Sequence, residues 1–226
     1  MVLTRRAYLA SFGVTATASI AGCLGGGGNN DASASGAGST SHECTLVERD
    51  PVTDLSQPGD GPTDATVTVD VFEDFACPHC AEFATGELSQ LKTEYLDGGN
   101  VRFRHFDFPI PVSEWSGRVA NAARSVQQSL GDAAFFEFSL AAYENQSEYA
   151  WQLVGDLAEA VDADPCRVLS DASNATYEQV LSDNRETGVE RGVTGTPGVF
   201  VNETLVERPE NGRFYNAIRS EIDANL

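Results

Sequence analysis

Cys77-Pro78-His79-Cys80 places two thiols three positions apart around a proline and a histidine, directly after Asp74-Phe75-Ala76. Thiols at this spacing can form half of a metal site, close a structural staple, or exchange disulfides with other molecules. A zinc site needs four soft or imidazole ligands. The remaining candidates, Cys44, Cys166, His42 and His105, are scattered and never paired at ligand spacing, so no metal is expected. Exchange chemistry needs a thiolate, and a free cysteine is mostly protonated at neutral pH. The question is what would ionise one of these sulfurs.

The flanking segments answer it. Residues 65–72 alternate β-branched and polar side chains, the period of a strand, and run straight into the motif. From Pro78 the period becomes helical, with Leu88, Leu91 and Tyr95 in one stripe until Asp97-Gly98-Gly99-Asn100 stops it. Proline suits a first helical turn, where its missing N–H costs nothing. Cys77 therefore sits at a helix start, where unpaired N–H groups and the positive end of the dipole favour a negative sulfur. Cys80, one turn further in, is expected to be buried and to act as the resolving thiol. His79, protonated or as a hydrogen-bond donor, would favour the Cys77 thiolate further.

A second strand is predicted at residues 101–106. A helical block follows: a stripe from Trp115 to Leu130 ended by Gly131, a helix capped by Asp132, then helices near 148–161 and 165–188. Strand character returns at residues 198–202 and 204–206, and a closing helix begins at Asn211-Gly212. The order β, α, β, helical block, β, β, α reads as one sheet interrupted by an insertion.

The other decisive stretch is Gly192-Val193-Thr194-Gly195-Thr196-Pro197, set before an apolar strand, where a cis proline is expected. A strand, C-x-x-C and helix, followed after a helical block by V-T-G-T-P and a strand, resembles the thioredoxin superfamily. CPHC with an inserted helical block is similar to the DsbA-like thiol:disulfide oxidoreductases, over roughly residues 64–226. The resemblance implies an α/β thioredoxin fold with a helical insertion at about 113–188. It also implies a redox-active Cys77–Cys80 disulfide, Pro197 as the cis proline, and Thr196 as the residue whose backbone holds a client polypeptide like an added strand. No cofactor is implied. Many relatives carry a buried acid six positions before the first cysteine; Val71 stands there instead, and Glu73 and Asp74 are the nearby acids whose role stays open.

The start of the chain reads as an address. Thr4-Arg5-Arg6 opens a twin-arginine signal of residues 1–22, and Ile20-Ala21-Gly22-Cys23 resembles a lipobox, which implies lipidation of Cys23. Residues 23–60 are expected to be a Gly/Ser-rich tether and N-terminal arm. The domain proper is placed at 61–226. Of five cysteines, Cys44 and Cys166 are left over; in an exported chain an even remainder permits a structural disulfide, although nothing in the spacing shows that the two are close.

The chain holds 14 basic and 34 acidic residues, net −20, and its first 22 residues contain two arginines and no acid. Its one lysine is Lys92. Such an acidic, lysine-poor composition resembles proteins of halophilic archaea, in whose salt the Debye length falls to about 3 Å and self-repulsion is screened. Nucleic acid is excluded as a partner, because nothing would neutralise its phosphates. The expectation is a lipid-anchored, monomeric thiol:disulfide oxidoreductase at the extracytoplasmic face of the membrane. It would oxidise exported client thiols and be recharged by a quinone-linked membrane oxidase. A reductase or isomerase, and a non-catalytic thioredoxin-like binding module, are the alternatives.

Overall fold

A computed structural model describes residues 42–110, 113–210 and 213–226, all within the unit Ala37–Leu226. The twin-arginine start, Cys23 and most of the tether lie outside the described residues. Among the described residues, no helix is long and apolar enough to cross a membrane.

The frame is a five-stranded sheet in the order β1-β3-β2-β4-β5. Strand β2, Val67–Glu73, lies at its centre, parallel to β3, Val101–Asp107, with Val71 opposite His105. On its other side β4, Gly198–Val201, runs antiparallel with Val71 opposite Val199, and β5, Thr204–Leu205, follows it. The sequence did not reveal β1, Gly59–Asp60, which pairs antiparallel with β3 at the edge. Two residues carry no period, so only the partner strand defines it.

Alternation along β2 sends Val67, Val69 and Val71 to one face, where they pack with Phe103, Leu91 and Ile218. Two helical elements cover that face. One is the motif helix: α1, Pro78–Glu82, continues through a π-helical stretch, Phe83–Leu88, into α2, Ser89–Tyr95. The other is the last helix of the chain, Phe214–Asn225. Phe72 points to the opposite face and packs with Phe106, Phe108 and Phe200.

Among the described residues, five α-helices stand between β3 and β4: α3, Trp115–Leu130; α4, Asp132–Glu144; α5, Trp151–Ala160; α6, Pro165–Ser173; and α7, Glu178–Glu190. The closing helix α8 spans Phe214–Asn225, and residues 211–212 lie outside the described residues. Gly131, at φ +90°, ends α3 as expected of a residue without Cβ. Asp132 does not cap α4. It is that helix's first residue, and its carboxylate accepts hydrogen bonds from the Gly59 N–H and the Gln127 side chain. The helix expected over 165–188 is two helices, broken where Ala175 takes φ +51°. Helix α7 packs on the Phe72 face at Gly188, where a Cβ would stand 2.8 Å from both Phe72 and Phe108.

The insertion's core joins Val119, Ala123 and Val126 of α3 to Phe135 and Phe138 of α4 and Leu169 of α6, and it is continuous with Phe75, Cys77 and Cys80. The N-terminal arm lies along this block. Cys44 and Cys166 are bonded, with Cα atoms 5.2 Å apart. Val52 N–H donates to Thr176 O at 2.7 Å, and Arg49 pairs with the buried Asp171 at 2.8 Å. Arg124, wholly buried, ties α3 to the sheet through Asp107 at 2.7 Å and also bonds Gln127, Asn184 and the Ser56 carbonyl. A buried cation is tolerated only when its donors are met in this way.

Candidate active site

Strand β2 ends at Glu73, the chain turns through Asp74-Phe75-Ala76, and Cys77 becomes the cap of α1 with extended backbone angles, Pro78 filling the first helical position. The turn is braced from within: Cys77 N–H donates to Asp74 O at 3.0 Å, and the Asp74 carboxylate accepts from Ala76 N–H and Ile110 N–H, both at 2.6 Å. Both motif cysteines are free thiols; Cys77 is 6% exposed and Cys80 not at all.

Their environments push them apart. Donation from the Cys80 thiol lowers the Cys77 pKa most; burial opposes it, and Thr196 with the N–H groups of Cys80 and His79 lowers it further, to about 5. Burial, donation to Cys77 and the nearby charge of Glu73 drive Cys80 far above its ordinary value. One sulfur is a thiolate at neutral pH and the other a thiol that must be deprotonated before it can react. Alkylation of Cys77 by iodoacetamide should therefore be half-maximal near pH 5, against about 8.5 for a free cysteine. The sign extends to stability. A folded value below the unfolded one means that the reduced protein gains stability from Cys77 as pH rises between these values and loses it as pH falls through about 5. An alkylation midpoint near pH 8 would contradict the assignment.

The loop before β4 faces this sulfur. The Thr196–Pro197 peptide is cis, and Cys77 Sγ lies 3.7 Å from Thr196 O, to which it donates only when protonated. The Thr196 hydroxyl, a separate atom from that carbonyl, is buried with no hydrogen-bond partner. The motif and this loop, 119 residues apart, thus meet at one atom pair. His79 lies differently from its expected place: its ring is 66% exposed with Nδ1 3.5 Å from Glu82. Its influence on Cys77 comes from its backbone N–H.

Sequence reasoning missed the insertion's contribution. Gln146, just after α4, donates from Nε2 to the carbonyls of Phe75 at 2.8 Å and Cys77 at 2.9 Å, and Tyr149 O–H donates to Phe75 O at 3.1 Å. These bonds hold the turn that places Cys77 at the head of α1. A lone glutamine after a helix gives no signal in sequence. Gln146→Ala should cost about 1–3 kcal/mol of stability for two lost hydrogen bonds and raise the Cys77 pKa, readable from thiolate absorbance. An unchanged titration would show that the clamp does not position the sulfur.

Behind Cys80 the two acids left open by the sequence separate. Asp74 has its carboxylate engaged by the two backbone N–H groups, while its own N–H points to Cys80 Sγ at 3.5 Å. Glu73 is buried, its Oε2 3.2 Å from His105 Nδ1 and its Oε1 without a partner. His105 Nε2 lies 3.2 Å from Asp107. Burial opposes a charge on His105, yet hydrogen bonds to Asp107 and Glu73 raise its pKa. Of the two acids, Glu73 is thus the one with an unpartnered carboxylate oxygen, and its charge is near enough to Cys80 to raise that thiol's pKa.

A cavity of about 320 Å³ opens beside the motif, lined by His79, Phe83, Glu87, Arg208 and Phe214 among others.

Comparison with known proteins agrees with this geometry. Disulfide bond formation protein D of Bacillus subtilis is 26% identical over 176 residues, 75% of this chain and 77% of that protein. The oxidised crystal structure of BdbD from Bacillus subtilis superposes with a TM-score of 0.68 at 23% identity, covering 78% of this chain and 98% of that one. DsbA of Chlamydia trachomatis gives a TM-score of 0.65 at 19% identity over 79% and 96% of the two chains. The family described as Thioredoxin matches residues 55–223. With the cysteine pair at the head of a helix, the cis-proline loop against its first sulfur and that match over most of its length, the chain belongs to the thioredoxin family.

Proposed function

We propose that this protein is a thiol:disulfide oxidoreductase that works outside the cytoplasm, and that it acts as an oxidase of exported client proteins. The observation that carries the reading is the Cys77 sulfur, ionised near pH 5 and held against Thr196, with a protonated Cys80 behind it. Stabilising the thiolate stabilises the reduced pair, which makes its disulfide the stronger oxidant. In the forward direction a client thiolate attacks Cys77 Sγ; the Cys77–Cys80 bond breaks, a Cys77–client bond forms, and Cys80 leaves and takes up a proton. A second client thiolate then attacks the client sulfur, the client leaves oxidised, and Cys77 departs as a thiolate.

The client chain is taken along the Thr196–Pro197 backbone, with the 320 Å³ cavity beside His79 and Phe214 receiving a side chain. Glu73 serves as proton partner of Cys80, in place of the acid that Val71 displaces. The twin-arginine start and the lipobox-like Ile20-Ala21-Gly22-Cys23 support export and anchoring through lipid on Cys23, which keeps the domain near a quinone-linked membrane oxidase. The net charge of −20 with a single lysine supports a halophilic source. The domain works as a monomer of about residues 61–226, with the insertion at about 113–188.

The deciding experiment is the equilibrium of the Cys77/Cys80 couple against glutathione in concentrated salt. A potential near −120 mV supports the oxidase, one near −270 mV transfers the protein to the reductases, and no exchange with glutathione or reduced peptide leaves only a binding module.

A further inference from the structure

Three stretches of the domain carry the pattern Asn-x-Ser/Thr that accepts N-linked sugar in exported chains: Asn145-Gln146-Ser147, Asn174-Ala175-Thr176 and Asn202-Glu203-Thr204. The pattern is short and recurs by chance. What decides is whether the amide nitrogen of each asparagine can leave its bonds and meet solvent, and the fold answers differently for the three.

Asn174 follows α6, and its Nδ2 donates twice, to Val47 O at 2.9 Å and to Ser170 O at 2.7 Å. A sugar on that nitrogen breaks one of these bonds, and Val47 belongs to the arm that Cys44 fastens to the insertion. Thr176, the third residue of this pattern, is buried as well. Asn145 ends α4 with its Nδ2 turned back to Ala141 O at 2.8 Å. The residue after it is Gln146, whose side chain holds the Phe75 and Cys77 carbonyls, so a sugar chain here would crowd the catalytic turn.

Asn202 differs on each count. It stands with Glu203 in the two-residue loop between β4 and β5, at φ +52°, a left-handed conformation that asparagine tolerates. Its Oδ1 accepts from Thr68 N–H at 2.9 Å. A backbone N–H only donates, so the atom facing it is fixed as the oxygen and Nδ2 must point the other way. Its partner there is Oδ1 of the exposed Asn225, at 3.2 Å. Glu203 and Thr204 are exposed too. Strand pairing sets the loop's place: Val201 lies opposite Val69, near the start of β2, whereas Cys77 follows that strand's end. Seven residues of strand at about 3.3 Å each put about 20 Å between the loop and the thiol pair. A sugar chain at Asn202 therefore leaves the client face open.

We propose that Asn202 is the residue at which this protein is N-glycosylated, outside the cytoplasm, and that Asn145 and Asn174 stay bare. The inference rests on the reading that the domain works outside the cytoplasm. The donor is a glycan joined through phosphate to a membrane lipid. Nδ2 of Asn202 attacks the first sugar carbon; the bond from that carbon to the phosphate oxygen breaks and a carbon–nitrogen bond forms. The amide gives up one proton, the lipid phosphate leaves with the electron pair, and nothing is oxidised or reduced. Oδ1 keeps its bond from Thr68, and only the exposed contact with Asn225 is exchanged, so the sheet is undisturbed.

The test uses the full chain recovered from the cells that make it. Protease added to intact cells fixes which side of the membrane the domain occupies, and mass spectrometry weighs the peptides that contain the three asparagines. A sugar increment is expected on the Asn202 peptide and on neither of the others. Thr204→Ala removes the pattern yet leaves the asparagine and its bond to Thr68 in place, so the increment should vanish. Thr204→Ser keeps the pattern and should keep the increment. Alkylation of Cys77 by iodoacetamide should run at the wild-type rate in both variants, because the loop lies at the opposite end of β2. A domain outside the cytoplasm with Asn202 bare, or with sugar on Asn145 or Asn174, overturns the site and leaves the export reading standing. An increment that survives Thr204→Ala overturns it equally. A bare domain found in the cytoplasm removes the export reading and this inference together.

Discussion

Cys80→Ser loses turnover by about 10³-fold or more, the scale on which removal of a reacting group acts, and accumulates clients covalently bound to Cys77. The serine hydroxyl fits the site of the thiol and can still accept from the Asp74 N–H, which lies 3.5 Å from the native sulfur. What it cannot do is attack the Cys77–client bond, so the mixed disulfide persists until an external thiol cleaves it. Cys77→Ser loses activity to the same extent but traps nothing, because Cys80 is wholly buried and its pKa stands far above neutrality. Non-reducing electrophoresis followed by mass mapping of the bridged peptides checks both variants. Adducts through Cys80, or equal trapping by the two variants, would reverse the roles of nucleophile and resolving thiol.

The second large effect lies away from the chemistry. Cys44→Ala/Cys166→Ala opens a bond that closes 122 residues of chain. On the chain-entropy account such a loop contributes about 5 kcal/mol, and losses on removing native disulfides run at about 2–5 kcal/mol. For a domain of this size each kcal/mol shifts Tm by roughly 2–4 °C, so thermal unfolding should fall by roughly 5–20 °C. The arm keeps its bonds from Val52 to Thr176 and from Arg49 to Asp171, which is why folding itself should survive. At a temperature where the variant is folded, Cys77 alkylation should match the wild type. A Tm drop below about 2 °C would mean that these non-covalent contacts already hold the arm.

The two predictions probe different layers of the same chain, and those layers were unequally legible. The motif helix and its feeding strand could be read from residue type alone, because periods of two and of 3.6 with a proline between them leave little choice of local structure. The order of elements showed one sheet with an insertion, and the thioredoxin fold was what the resemblance of the paired CPHC and Thr196-Pro197 segments implied. Where local signals were weak the reading drifted. Asp132 looked like a helix cap because its type suits one, but its carboxylate is used by the edge strand instead. The break in the helix expected over 165–188 depends on Ala175 adopting a left-handed backbone that no alanine announces.

Taken alone, the sequence determined which sulfur stands at a helix start and which loop would be its partner in a family of this kind. Those conclusions rest on local backbone physics, in which neighbours a few residues apart decide conformation and dipole. Only the tertiary structure decided that Gln146 clamps the turn, that His79 acts through its backbone, and that Glu73 rather than Asp74 keeps a free carboxylate oxygen. Each of these depends on a hydrogen bond or burial between residues far apart in the chain or in competition for one partner. Such contacts carry no period and no fixed spacing, so they exist only once the insertion has packed against the sheet.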